Sequence, residues 1–227
     1  MIEEILPRRV KVVEAYLDAT PDELVAEEQA AVLHAVPRRR REFATARACA
    51  RSALAQLGVP ATSIPMGARG EPCWPAGAIG SITHCSGYRG CAVALAGEYV
   101  AIGIDAEPHA PLPKGIEPVI ARPEEHRRLR ALSAQMPDVH WDRLLFSVKE
   151  SIYKAWFPRA KRSLGFEDAS VTLDAGRCTF TARLMVDVSE LAGARSEIRG
   201  RWLVRDGYVL TAVVQPLRGG RERPEGD

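Results

Sequence analysis

Two carboxylates stand two residues apart at the end of an apolar run, Tyr99-Val-Ala-Ile-Gly-Ile-Asp-Ala-Glu107. In a strand, side chains alternate between faces, so Val100, Ile102 and Ile104 point toward a core. Asp105 and Glu107 then share the opposite face, beside Gly103, which leaves room for a close approach. Neighbouring carboxylates repel, and a hard cation such as Mg²⁺ relieves that repulsion. Taken alone, the segment fits a solvated strand end before Pro108 better than a metal site. A second cluster lies downstream in Phe146-Ser-Val-Lys-Glu-Ser-Ile-Tyr-Lys154. At roughly 100° per residue, Trp141, Leu144, Leu145, Val148, Ile152, Ala155 and Trp156 make one broad apolar face. Arg143, Ser147, Glu150 and Lys154 line the other side, and Lys149 and Tyr153 sit on a flank between the two. Glu150 and Lys154 at i, i+4 also read as a plain surface ion pair.

The elements that must position these groups follow from punctuation and period. Thr20-Pro21-Asp22-Glu23 has the form of a helix start, with a helix running to about Val36. Pro37 interrupts it, and a second helix spans roughly Arg39 to Leu57, stopped by Gly58 and Pro60. A loop rich in Gly and Pro occupies 65–80. Strands fit at about 79–84, 90–96 and 99–106, with Gly97-Glu98 as a tight hairpin turn between the last two. After a proline-rich linker, Pro108 to Pro123, come a short charged helix and a long one from about Val139 to Trp156. Strands then fit near 169–173, 178–186, 199–205 and 208–214, with Asp206-Gly207 as a hairpin turn. Each half reads as helix plus antiparallel strands, an α+β pattern. The expected division is 1–106, 107–218 and a disordered tail at 219–227.

Composition narrows the function classes. The 227 residues are 46% hydrophobic, enough for a real core. No apolar run is long enough to span a membrane, and the first residues, Met1-Ile-Glu-Glu-Ile-Leu-Pro, lack the form of a secretory signal. Cys49, Cys73, Cys85, Cys91 and Cys178 are odd in number and form no Cys-x-x-Cys pair, which points to reduced thiols in a cytoplasmic protein rather than to disulfides or zinc. A net charge of +2 demands no nucleic-acid partner.

Gly103-Ile-Asp-Ala-Glu107 and Phe146-Ser-Val-Lys-Glu-Ser-Ile-Tyr-Lys154 resemble the two signature motifs of the surfactin-synthetase-type (Sfp-type) 4'-phosphopantetheinyl transferases. Gly80-Ser-Ile-Thr-His-Cys85 resembles a third, in a form typical of the actinobacterial and siderophore-type branch. Arg69-Gly-Glu-Pro-Cys-Trp-Pro75 and His140-Trp-Asp142 strengthen that match. The resemblance spans about residues 36 to 215. It implies two similar α+β halves, each a helix with an antiparallel three-stranded sheet, and an active site in the cleft between them. It also implies transfer of the 4'-phosphopantetheine arm of coenzyme A to a carrier-protein serine, releasing adenosine 3',5'-bisphosphate. Carried over residue by residue, Asp105, Glu107 and Glu150, with the carbonyl of Ala106, would hold Mg²⁺, with Mn²⁺ as a substitute. Glu150 would be the general base. Lys154 and Lys149 would contact the phosphates, Lys154 stabilising the leaving group. Thr83 and His84 match phosphate contacts, Arg47 a contact to the 3'-phosphate, joined by Arg39. Arg69, Gly70, Glu71 and Pro72 belong to the loop expected beside the adenine. Two positions depart from the pattern: Met66 stands where close relatives carry a lysine, and Phe146 replaces a common tryptophan.

The implied partners are coenzyme A and acyl or peptidyl carrier proteins, with no nucleic acid and no membrane, and a monomer suffices. Arg122, Arg127, Arg128 and Arg130, or Lys161 and Arg162, are candidates to dock a carrier because they cluster near the second signature. Two other readings compete. A metal-dependent nuclease or nucleotide phosphohydrolase could use the same carboxylates, and would cleave without any carrier. A non-catalytic module binding coenzyme A or carrier would be indifferent to loss of Glu150.

Overall fold

The structure is a computed structural model that describes residues 1–18, 24–60, 63–189 and 195–217. The helix start expected at Thr20–Glu23 and the tail at 219–227 lie outside the described residues. The chain folds as α+β, with antiparallel strands in two sheets. A 3-10 turn, Ile2–Ile5, precedes β1 (Lys11–Ala15), a strand that sequence reasoning missed. A short helix α1 (Ala26–Ala31) leads to α2 (Pro37–Gln56). Pro37 begins α2 at its first turn instead of merely interrupting a helix, because the N–H it lacks would have no intrahelical acceptor there. Gly58, at φ +70°, closes the other end.

Strands β2 (Ala78–Cys85) and β3 (Tyr88–Leu95) pair with β1 in the order β1-β3-β2. Helix α2 covers this sheet, packing Cys49, Ala50, Ala53 and Leu54 against Cys91 and Val93. Strand β4 (Tyr99–Pro108) does not extend it. Beyond β4 come α3 (Glu117–Ile120), α4 (Pro123–Gln135), α5 (Trp141–Ala160), β5 (Ala169–Asp174), β6 (Thr179–Leu184), β7 (Glu197–Arg205) and β8 (Tyr208–Pro216). The second sheet runs β4-β8-β7-β6-β5, so it has five strands where three were expected. The hairpin expected at Gly97-Glu98 is therefore a turn between two sheets, since β3 and β4 do not pair. The burial of β4 gives the reason. Ile102, Ile104 and Ala106 enter one core behind the sheet, and Ala101 enters another under α5. A strand buried on both faces belongs between layers, which an outlying hairpin arm would not provide.

The free edge of β4 is covered by β2 through side chains. Ile104 N–H donates to Ser81 Oγ at 3.1 Å, and Ala106 N–H donates to Thr83 Oγ1 at 2.9 Å. Two hydroxyls thus take the place of ladder carbonyls, and they join the sheets while leaving them splayed. Asp206 and Gly207, at φ +50° and +78°, form the β7–β8 hairpin turn as read from sequence.

Candidate active site

Helix α5 lies across the second sheet with Leu144, Leu145, Val148 and Ile152 buried beneath it. It approaches β4 tightly at Gly103, where an added Cβ would stand 1.9 Å from the Ser151 carbonyl oxygen and 2.7 Å from Ala155 N. The room that Gly103 provides is filled by α5 itself. Residues of β4 that face α5, Asp105 and Glu107, thereby meet Glu150 and Lys154 on the helix, and all four line one cavity of about 320 Å³. Its other wall is α2, with Arg39, Phe43 and Arg47, together with His84 from β2. Met66, Gly70 and Pro72 come from the loop after α2.

One end of the cavity is acidic. Lys154 Nζ lies 2.7 Å from Asp105 Oδ1, and Arg143 Nη1 lies 2.8 Å from Glu107 Oε2. Asp105 Oδ2 is buried with no hydrogen-bond partner. Desolvation raises the pKa of Glu107 above the ordinary carboxylate value, and the charge of Asp105 adds to it against the opposing pull of Arg143. Glu150 is raised likewise, by desolvation first and by Asp105 second. The other end is basic. Arg47 is buried, stacks over the Phe43 ring at 4.2 Å, and leaves its Nε without a partner. Burial pushes its pKa down to about 10. Arg39 Nη1 stands 2.7 Å from His84 Nε2. Desolvation in the cleft, with the Arg39 and Lys154 charges adding to it, pushes the His84 imidazole down to about 4, although one edge of the ring is open to solvent. A neutral ring accepting from Arg39 is the arrangement that direction supports.

Matches to two family models cover most of this framework. The 4'-phosphopantetheinyl transferase N-terminal domain matches residues 27–94, and the 4'-phosphopantetheinyl transferase superfamily matches 101–213. The chain is 46% identical over 232 residues to 4'-phosphopantetheinyl transferase Svp of Streptomyces mobaraensis, covering 100% of this chain and 94% of that protein. The chain belongs to the 4'-phosphopantetheinyl transferase superfamily. It is also 47% identical over 209 residues to 4'-phosphopantetheinyl transferase PptT of Mycobacterium tuberculosis, covering 88% of this chain and 90% of that one. Enterobactin synthase component D of Salmonella typhimurium is 32% identical over 187 residues, 82% of this chain and 76% of that protein. As a phosphopantetheinyl transferase the chain is an enzyme, which sets aside both the phosphohydrolase reading and the binding-module reading.

Several site residues expected from the transferase motifs stand elsewhere. Lys149 does not face the cleft; its ammonium is buried against Glu125, the Ile120 carbonyl and the Phe166 carbonyl, each at 2.7 Å. With all three donors used there, it has none for a phosphate. Thr83 is 1% exposed. It donates to Asp105 Oδ1 at 3.2 Å and accepts from Ala106 N–H, so it orients a carboxylate instead of lining the cavity. Ala106 turns its methyl group into the core behind β4, which has no bearing on the expectation for that residue, since it concerned the carbonyl. Glu71 curls back to accept Arg69 N–H at 3.0 Å and reaches Lys161 at 3.4 Å, which shapes the loop rather than the cavity wall. Arg69 is likewise outside the lining. Phe43, Ile82 and Arg143 were missed as site residues; the Arg143 position on the polar face of α5, one turn before Ser147, was the available signal.

Among the docking candidates, Arg122 holds Glu124 at 2.7 Å and also the Glu167 carbonyl, and Arg128 donates to the Val171 carbonyl. Arg162 donates to the Asp187 carbonyl. Arg127 and Arg130 are exposed on α4. Among the described residues, no helix is long and apolar enough to cross a membrane.

Proposed function

We propose that this cleft binds coenzyme A with its 3'-phosphate toward Arg47 and Arg39 and its diphosphate toward the acidic end. A serine of an apo carrier protein then takes the phosphopantetheine arm. The observation that carries this reading is that two residues lining one cavity of a phosphopantetheinyl transferase, Arg47 and Asp105, each hold a buried polar atom without a partner, Nε and Oδ2. One calls for an anion and the other for a cation, and a phosphate-bearing ligand with a divalent ion supplies both.

The carboxylate set fits such an ion. Asp105, Glu107 and Glu150 bring hard oxygen donors together, two of them with pKa values raised by desolvation and by mutual repulsion. Among the described residues no three ligating groups stand close enough to form a metal cluster, and Lys154 and Arg143 are paired with two of the acids. Asp105, Glu107 and Glu150 would hold Mg²⁺ once the diphosphate draws Lys154 away. The ion, when bound, offsets negative charge on the diphosphate.

Bond making and breaking then follow the residues. The serine oxygen forms a bond to the phosphorus that carries the pantetheine arm, and the bond from that phosphorus to the bridging diphosphate oxygen breaks. Glu150 accepts the serine proton; its raised pKa brings it nearer neutrality, where a general base works best. Lys154, already at the acidic end, stabilises the charge left on adenosine 3',5'-bisphosphate. Glu150→Gln should keep the fold and lower kcat by roughly 10²-fold or more, read as loss of the phosphopantetheine mass gain on an apo carrier. Transfer at the wild-type rate in that variant would remove Glu150 from the role.

A further inference from the structure

Lys149 stands in the middle of a buried node that the transfer chemistry does not use. Its side chain is 2% exposed and that of its partner Glu125 is 1% exposed. The three ammonium protons go to Glu125 Oε2, Ile120 O and Phe166 O. Glu125 in turn accepts Arg122 N–H with Oε2 and Val171 N–H with Oε1, both at 2.7 Å. Five segments therefore converge on one ion pair: the end of α3, the start of α4, the turn at Phe166–Asp168, strand β5 and helix α5.

Placing a lysine and a glutamate where water cannot reach them costs desolvation, which the pair regains only through geometry this complete. An apolar pair would serve packing as well. What an ion pair adds is direction, and α5 needs it. Against the sheet the helix rests on Leu144, Val148 and Ile152, contacts that resist separation but only weakly resist rotation, and hydrogen bonds between Ser147 and Thr211 tie it to β8 at one point. The Lys149 node ties it to α3, α4 and β5 on another flank. Lys149 precedes Glu150, so the roll of α5 that seats the ammonium also sets where the carboxylate points. A roll of about 10° would move a group ~6 Å from the axis by about 1 Å, a shift able to cost about 10²-fold in rate.

We infer that Lys149 is a positioning residue: locked to Glu125, it fixes the roll of α5 and so aims Glu150 and Lys154 into the cleft, without touching coenzyme A. The inference rests on the assignment of Glu150 above, and the two fail separately. Wild-type transfer by Glu150→Gln would sink the base assignment whatever the Lys149 variants do.

The test is a set of variants measured for thermal unfolding, kcat, KM for coenzyme A and coenzyme A affinity by calorimetry. Lys149→Met alone leaves Glu125 buried and unpaired, and should lower the melting temperature. Lys149→Met with Glu125→Met removes both charges and should regain most of that stability. In the double variant kcat should stay about tenfold or more below wild type, with KM and affinity for coenzyme A within about twofold. Should the double variant fail to fold, Lys149→Arg serves, since a planar guanidinium keeps the charge but cannot reproduce three converging contacts to one nitrogen. It too should lose kcat and keep KM. Wild-type kcat in a folded double variant, or in Lys149→Arg, would overturn the inference. So would a roughly tenfold loss of coenzyme A affinity in either, the mark of a direct phosphate contact.

Discussion

Arg47 shows how much a single side chain can declare once its surroundings are known. It projects from the buried side of α2, its charge desolvated, its planar group stacked on Phe43 and one nitrogen left without a partner. A group in that condition gains by meeting an anion and loses little stability by removal. Arg47→Met is therefore expected to raise KM for coenzyme A by roughly tenfold or more while the melting temperature holds or rises. A large loss of stability with unchanged KM would mean that Arg47 serves the fold. The sequence pointed to it only through the family resemblance, because a lone arginine inside an Arg-rich helix carries no other mark. Lys149 shows the reverse. The family resemblance implied a phosphate contact for it, yet the residue lies on the flank of α5, and α3 and α4 close over that flank.

The contact between β4 and α5 decides the geometry of the acidic end. Gly103 admits the helix backbone so closely that a methyl group would meet both the Ser151 carbonyl oxygen and Ala155 N of one turn of α5. Neither is a flexible side chain, so α5 would have to move. Gly103→Ala should cost about 1–3 kcal/mol or more and should lower kcat, because the displaced helix carries Glu150 and Lys154. Gly97→Ala is the control: nothing lies within 4 Å of an added Cβ there, and denaturant unfolding should separate the two variants clearly. The extent of α5 was read nearly correctly from its apolar period. The pairing of β4 was not, since a run of alternating and apolar residues shows that a strand is buried without showing which strand it will join.

Across the whole molecule, the phosphopantetheinyl transferase cleft is a seam between two sheets that share no ladder. Ser81 and Thr83 join β2 to β4 at that seam, and α2 from one side and α5 from the other supply its basic and acidic walls. A carrier must reach the cleft from outside, and the free arginines of α4 are Arg127 and Arg130, since Arg122 and Arg128 are engaged within the fold. Charge reversal at both, Arg127→Glu with Arg130→Glu, should raise KM for the carrier, by a larger factor at low salt than at high salt, while KM for coenzyme A stays unchanged. Equal loss for both substrates would point to damage to the fold.

Periodicity in the sequence was enough for the α+β class and the span of the two long helices, and the family resemblance singled out Asp105, Glu107, Glu150 and Lys154. These depend on neighbours close along the chain, where one turn or one alternation determines which side chains share a face. Tertiary structure alone decided that β4 leaves its neighbour β3 for β8, that α5 occupies the space at Gly103, and that Lys149 turns away from the cleft. Each of those outcomes depends on segments far apart in the chain competing for the same edge, gap or charge, and the result is settled only when the layers close.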